Sequence, residues 1–186
     1  MAQDELTLIL QALHFAADRH RDQRRKDEQA SPYINHPIAV AEVLCVVGGV
    51  RDAVAIVAGI LHDTIEDTET TAADIRDRFG KDISEVVEEV TDDKTLPPLQ
   101  RKQLQIDHAH LKSKRARLVK LADKICNVRD IVERPPEGWP VDRKRQYIAW
   151  ARVVVDRMRG SNRPMEEYFD ALCARADAHL APDASE

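Results

Sequence analysis

The chain has 186 residues, 33% charged and 43% hydrophobic, with a formal net charge of −5. That length supports one folded domain with its own core, and the composition excludes a disordered chain. The acidic balance speaks against a general nucleic-acid coat, which needs a basic surface. Leu6, Ile9, Leu10, Leu13 and Ala17 recur at helical spacing and predict an amphipathic first helix over 3–21. This stretch has no basic leader region and no cleavage signature, so no secretory signal is expected. The segment RDQRRKDEQASPYINHP (21–37) breaks the pattern with Pro32, Pro37 and a polar cluster, and reads as a loop. Pro37 suits the first turn of the next helix, IAVAEVLCVV, which Gly48 and Gly49 stop. Asp52 is placed to cap a buried helix over 53–62. Its run AVAIVAGIL (53–61) is too short to cross a bilayer.

In DTETTAADIRDRFG a Thr cap followed by acids predicts a helix start, and Gly80 its end. Ile83, Val86, Val87 and Val90 mark another amphipathic helix. TLPPL is a break. Helices are expected over 99–112 and 114–131, RPPEGWP (134–140) is a second loop, and helices over 141–159 and 164–180 follow. Residues 181–186 read as a flexible tail. No strand-like alternation of useful length and no internal repeat occurs. The expectation is an all-α fold, a single helical domain over 1–180. Cys45, Cys126 and Cys173 lie far apart and form no C-x-x-C pair, which points away from disulfides and cysteine zinc sites and toward a reducing cytoplasm.

The chemistry concentrates in GILHDTIED (59–67). A core helix ends there in His62, Asp63, Glu66 and Asp67. Acids are rarely buried unless paired or bound to a metal, so a cation is expected. Two further positions supply hard ligands: His36, ending SPYINHP, and Asp123 in LVKLADKICNVRDI. Lys120, Asp123 and Asn127 form a polar stripe beside the apolar face of their helix. From that helix alone a solvated side is the stronger reading, and a lined cavity the sharper one. Two imidazoles with two carboxylates suit Mn²⁺ or Fe²⁺, whose octahedral geometry leaves positions for water and substrate. Zn²⁺ is more often four-coordinate. His14, His20, His108, His110 and His179 read as surface or satisfied core histidines.

The pattern His36…His62-Asp63…Asp123 resembles the signature of the HD superfamily of metal-dependent phosphohydrolases. The surrounding words are more specific. HRDQRRKD, PYINHPIAVA, LHDTIEDT, FG…VEEVTDDKT, LVKLADKICNVRDI and PEGW resemble the hydrolase domain of the Rel/Spo stringent-response enzymes. They are most similar to the stand-alone small alarmone hydrolases, including the animal type, over nearly the whole chain. The resemblance implies an HD-domain helical bundle that removes the 3′-pyrophosphate of guanosine tetra- or pentaphosphate, (p)ppGpp. It implies His36, His62, Asp63 and Asp123 as ligands of one Mn²⁺ ion, with Glu66 and Asp67 as catalytic acids. Arg25, Lys26 and Asn127 would contact the nucleotide, Arg25 near the base; Asp27 completes the RRKD motif. Tyr33, Arg143 and Tyr147 would wall the pocket.

Without the resemblance the basic run Arg19–Lys26 reads as a solvated helix end. With it, Arg25 and Lys26 become cationic partners of phosphate and base, while Arg19, Arg21 and Arg24 keep the solvated reading. The synthetase and regulatory domains of full-length Rel/Spo enzymes have no counterpart here, so degradation without synthesis is expected. Pro98 stands where the animal-type protein carries a basic residue, which weighs against an NADPH 2′-phosphatase side activity. The alternatives are another HD nucleotide phosphohydrolase and an antitoxin-like partner of an alarmone-type synthetase toxin. Intact ligands and intact Glu66 and Asp67 favour catalysis, since binding alone does not require them. The expected partner is a small nucleotide, not a nucleic-acid polymer or a membrane. The sequence leaves oligomeric state open.

Overall fold

The computed structural model describes residues 4–181. Its α-helices run in the order α1 (Glu5–Arg19), α2 (Asn35–Glu42), α3 (Ala53–Leu61), α4 (Thr64–Asp67), α5 (Ala72–Phe79) and α6 (Lys81–Val90). They continue as α7 (Pro98–His108), α8 (Lys114–Glu133), α9 (Val141–Asp156) and α10 (Arg163–His179). Among the described residues, extended pairing is limited to an isolated bridge between Arg24 and Pro32, and the expected all-α fold is observed. Gln3, at the start of the expected first helix, and residues 182–186 of the expected tail lie outside the described residues. No helix among the described residues is long and apolar enough to cross a membrane.

Local chemistry sets the helix starts. Asp52 accepts from the Val54 N–H at 3.0 Å and caps α3. Thr71 and Asp74 form a reciprocal capping box at α5, Ser113 caps α8, and Asn162 caps α10. Each such cap contributes about 0.5–2 kcal/mol. Gly80, with φ +90°, makes the turn between α5 and α6 that an L side chain resists.

The structure departs from the sequence reading in four places. α2 begins at Asn35, so His36 sits in its first turn and not at a loop end. Pro37 is accommodated because first-turn N–H groups have no intrahelical acceptor. Beyond α2 the chain widens into a π-helical turn, Val43–Val47, closed by the Gly48 N–H on the Val43 carbonyl at 2.9 Å. α4 is a single turn of four residues, too short to show a period; the Thr64 hydroxyl anchors it on the Leu61 carbonyl at 2.6 Å. α7 ends at His108 and passes into a 3₁₀ turn, Ala109–Leu111.

α8 is the central helix and packs against α2, α3, α6, α9 and α10. Every residue of α3 from Ala55 to Leu61 is buried. A Cβ at Gly59 would stand 2.8 Å from Leu44 Cδ1, so glycine permits the close approach of α3 to the turn after α2. Ile60, Leu61, Leu121 and Ile125 are fully buried, each contributing about 1.5–3 kcal/mol by burial. This packing holds the end of α3 rigidly beside the middle of α8. The chemistry-bearing residues project from that junction.

Candidate active site

His62 caps the C-terminal end of α3. Its Nδ1 lies 2.8 Å from the Gly59 carbonyl, which can only accept, so Nδ1 carries the proton. Nε2 then faces the site. It is buried and makes no well-aligned hydrogen bond; Asp63 Oδ2 lies 3.1 Å away and Asp123 Oδ1 3.8 Å away. His36 Nε2 approaches the same oxygens, 3.2 Å from Asp123 Oδ1 and 3.8 Å from Asp63 Oδ2. His36, His62 and Asp123 present ligand atoms within 4.8 Å of one another, and Asp63 closes the group.

This donor set fits a divalent cation. A buried imidazole nitrogen oriented by a backbone carbonyl, facing two carboxylate oxygens, is the arrangement of a metal ligand held by its outer partners. The carboxylates lie against the imidazoles. Burial alone would lower the His62 pKa, but Asp63 and Asp123 outweigh it and raise the pKa to about 9. Burial would raise Asp63, yet the His62 ring holds it well below the usual carboxylate range. His36 stays below its ordinary value because burial outweighs its bond to Asp123.

Outer groups fix the two carboxylates. Asn127 Nδ2 donates to Asp123 Oδ1 at 2.6 Å, and Lys124 Nζ donates to Asp123 Oδ2 at 2.9 Å. The Tyr33 hydroxyl donates to Asp63 Oδ2 at 2.6 Å and also faces Asp67 Oδ2 at 3.2 Å. The polar stripe of α8 is therefore a cavity wall: Lys120 and Asp123 are buried, and the solvated reading is set aside.

α4 sets two more acids against the cluster. Glu66 Oε2 accepts from the Asp92 N–H at 3.1 Å, and burial raises its pKa. Asp67 meets Tyr33 and Lys94, and its backbone carbonyl accepts from Gln23 Nε2. Glu66, Asp67, Lys120 and Lys124 line one chamber with the cluster.

That chamber opens into a cavity of about 380 Å³, with which it shares Arg25, Tyr33, Asp67 and Asn127. Lys26, Trp139 and Tyr147 also line it. Arg25 donates to Asp130 Oδ2 at 2.8 Å and to Asn127 Oδ1 at 3.2 Å, and its guanidinium carbon lies 5.5 Å from the Tyr33 ring centre. The 134–140 loop clasps the 24–27 segment through the Glu137 N–H on the Lys26 carbonyl, 2.6 Å. Asp27 accepts from the Ser31 N–H at 2.8 Å and shapes the loop without entering the cluster.

The structure thus brings His36, His62, Asp63, Asp123, Glu66, Asp67, Arg25, Lys26, Asn127, Tyr33 and Tyr147 to two connected spaces. Arg143 stands apart: it is exposed and stacks on Trp139, 4.2 Å from the ring centre, so it reaches the cavity only through that indole. Arg24 borders the cavity but is exposed and donates to the Arg21 and Gln23 carbonyls at 2.8 Å, in keeping with its solvated reading. His14, His108, His110 and His179 are exposed; His20 is buried against the Tyr33 ring. Sequence reasoning missed Lys124, Trp139, Asp130 and Gln105. Lys124 looks like any basic neighbour of an acid, and Trp139 sits in a Pro/Gly-rich loop with no local pattern that points to a cavity.

Comparison with known proteins identifies the family. The HD domain family profile matches residues 12–151. The chain is 50% identical over 168 residues to the guanosine-3′,5′-bis(diphosphate) 3′-pyrophosphohydrolase MESH1 of Xenopus tropicalis, covering 90% of this chain and 94% of that protein. It is equally similar to human MESH1, 50% identical over 168 residues with the same coverage, 90% and 94%. Among solved structures, a metazoan ortholog of SpoT that hydrolyzes ppGpp and plays a role in starvation responses superposes with a TM-score of 0.88. That match is 42% identical and covers 92% of this chain and 96% of the other. The chain belongs to the HD domain family and, within it, to the MESH1 group.

Proposed function

We infer that this protein is a metal-dependent (p)ppGpp 3′-pyrophosphohydrolase, converting guanosine tetra- or pentaphosphate and water to GDP or GTP and pyrophosphate. The observation that carries this reading is the junction of two spaces: a His–Asp cluster flanked by Glu66 and Asp67, opening through Arg25 and Asn127 into a nucleotide-sized cavity. The relatives that share nearly the whole chain carry the same activity in their names.

In this reading His36, His62, Asp63 and Asp123 hold one divalent ion, for which Mn²⁺ suits the mixed imidazole–carboxylate set. When bound, the ion supplies an activated water at neutral pH and neutralises charge on the phosphoryl oxygens. Glu66 and Asp67 orient the attacking water and take its proton. Burial raises the pKa of Glu66, and a positioned base contributes about 10²–10⁴ in rate. The water oxygen joins the phosphorus attached to O3′, the P–O3′ bond breaks, and O3′ takes up a proton. Arg25 offers its planar face to the base, while Lys26 and Asn127 hold the phosphates and ribose. Tyr33 and Tyr147 wall the cavity, and Arg143 buttresses Trp139. Residues 1–180 act as one catalytic domain. Three free cysteines fit a cytoplasmic location.

The test is product analysis. Metal-stripped protein is incubated with ppGpp with and without Mn²⁺, and nucleotides are resolved by anion exchange. GDP and pyrophosphate formed only with metal are expected. Intact ppGpp with folded, metal-loaded protein would overturn the assignment.

A further inference from the structure

The cluster chamber has a second neighbour. Through Asp92 and Gln105 it adjoins a cleft of about 200 Å³ between the 91–93 segment and α7, also lined by Asp93, Arg101, His108 and Lys112. None of these residues lines the Arg25 cavity.

The cleft wall holds two buried polar atoms with no hydrogen-bond partner, Arg101 Nε and Gln105 Oε1. Such atoms are rare and costly; an anion can accept from Arg101 Nε, and a water bound to that anion can donate to Gln105 Oε1. The acids nearby are already engaged. Asp92 accepts from Gln105 Nε2 and lies 3.8 Å from Lys120 Nζ. Asp93 Oδ1 accepts from the Thr95 N–H at 2.9 Å and its hydroxyl at 2.7 Å. The cations are less committed. Arg101 Nη1 is 3.8 Å from Glu66 Oε1, too long for a hydrogen bond. Lys112 donates to the Glu89 carbonyl, leaving two ammonium protons. Burial and the nearby Lys120 depress its pKa, a penalty that an anion bound in the cleft beside Lys112 offsets.

The substrate geometry identifies the anion. On the pyrophosphohydrolase reading, its nucleoside takes the Arg25 cavity and its proximal 3′-phosphate the cluster beside Glu66. The distal 3′-phosphate must continue past the cluster, and the Asp92–Gln105 wall is where the chamber continues. We propose that Arg101 and Lys112 form a product-side subsite that holds the distal phosphate of the 3′-diphosphate and then the departing pyrophosphate, with Gln105 Oε1 accepting from a water bound to it. The proposal rests on the pyrophosphohydrolase reading and adds a reason for preferring a diphosphate at the 3′ position.

Equilibrium binding in a Glu66→Gln background tests it without turnover and without the Arg101–Glu66 contact. Metal-loaded protein is titrated calorimetrically with ppGpp and with the analogue bearing a single 3′-phosphate. Adding Arg101→Gln should weaken ppGpp binding about tenfold and leave the 3′-monophosphate analogue nearly unchanged. Lys112→Met should show the same selectivity, which guards against local misfolding at Arg101. Equal weakening of both ligands, or of neither, overturns the subsite. If neither nucleotide binds the Glu66→Gln protein, subsite and substrate assignment fail together. If wild-type protein cleaves ppGpp but the selectivity is absent, the subsite alone fails.

Discussion

The Tyr33 hydroxyl donates to Asp63 Oδ2 at 2.6 Å, so a residue of the 21–37 segment fixes a carboxylate at the end of α3. Burial and the neighbouring Asp63 push the tyrosine pKa well above its ordinary value, so it remains a donor throughout the working pH range. Removing the donor while keeping the ring isolates its role. Tyr33→Phe should weaken Mn²⁺ binding about 10- to 100-fold, as loss of an outer hydrogen bond to a metal ligand does. Manganese titration followed by electron paramagnetic resonance measures this directly. Unchanged affinity would mean that Asp63 keeps its orientation without Tyr33.

A cation held between α2, α3 and α8 should also stabilise the fold. At a metal concentration 100-fold above the dissociation constant the gain is about 2.7 kcal/mol. For a chain of this size that corresponds to a rise in Tm of about 5–10 °C. Calorimetry with chelator and then with excess Mn²⁺ gives the comparison. In Asp123→Asn protein the rise should vanish, because one ligand charge is lost where His36, Asn127 and Lys124 converge. A rise that persists in Asp123→Asn would place the cation elsewhere.

Proton release should accompany metal binding. In the metal-free protein burial lowers the His62 pKa, but Asp63 and Asp123 prevail and raise it from 6.5 to about 9. The charged pair therefore stabilises the metal-free fold fully below about pH 6.5, and that contribution is lost as pH rises through about 9. A cation on Nε2 must displace the proton. Between these limits metal affinity should rise about tenfold per pH unit for one proton displaced. Titration calorimetry at pH 7.5 in two buffers of different ionisation enthalpy should report about one proton released per ion. No release would show that His62 is already neutral before the metal arrives.

Most of the helices are readable in the sequence because they depend on local patterns, and the His–Asp cluster is readable through the resemblance its motifs carry. Asp52, Thr71 and Gly80 act on their own neighbours, and the run 53–61 is apolar on every face. What escaped depends on length or on tertiary approach. The four residues of α4 are too few to show a period, and the π turn after α2 forms where Gly48 meets Met165 of α10. Lys124 and Trp139 join the site only because α8, α9 and the 134–140 loop converge. The polar stripe on α8 was ambiguous by itself: a short acid at a core edge reads alike whether it faces water or a cation, until His36 and His62 are brought against it.

Arg25 tests the nucleotide cavity apart from the cluster. Its guanidinium is pinned by Asp130 at 2.8 Å and Asn127 at 3.2 Å, with Tyr33 beneath, so one planar face is offered to an occupant. Lysine keeps the charge but has no plane to stack on a base. Asp130 retains a partner in the variant, because Arg134 donates to its other oxygen at 3.2 Å, so the fold should survive. A stacked cation contributes about 0.5–2 kcal/mol, which predicts a rise in KM for ppGpp of about tenfold in Arg25→Lys. Because the contact is made equally in ground and transition states, kcat should stay close to wild type. Steady-state kinetics on both proteins, with saturating metal, separates the two parameters. A fall in kcat with KM unchanged would move Arg25 from holding the base to stabilising the reacting phosphate.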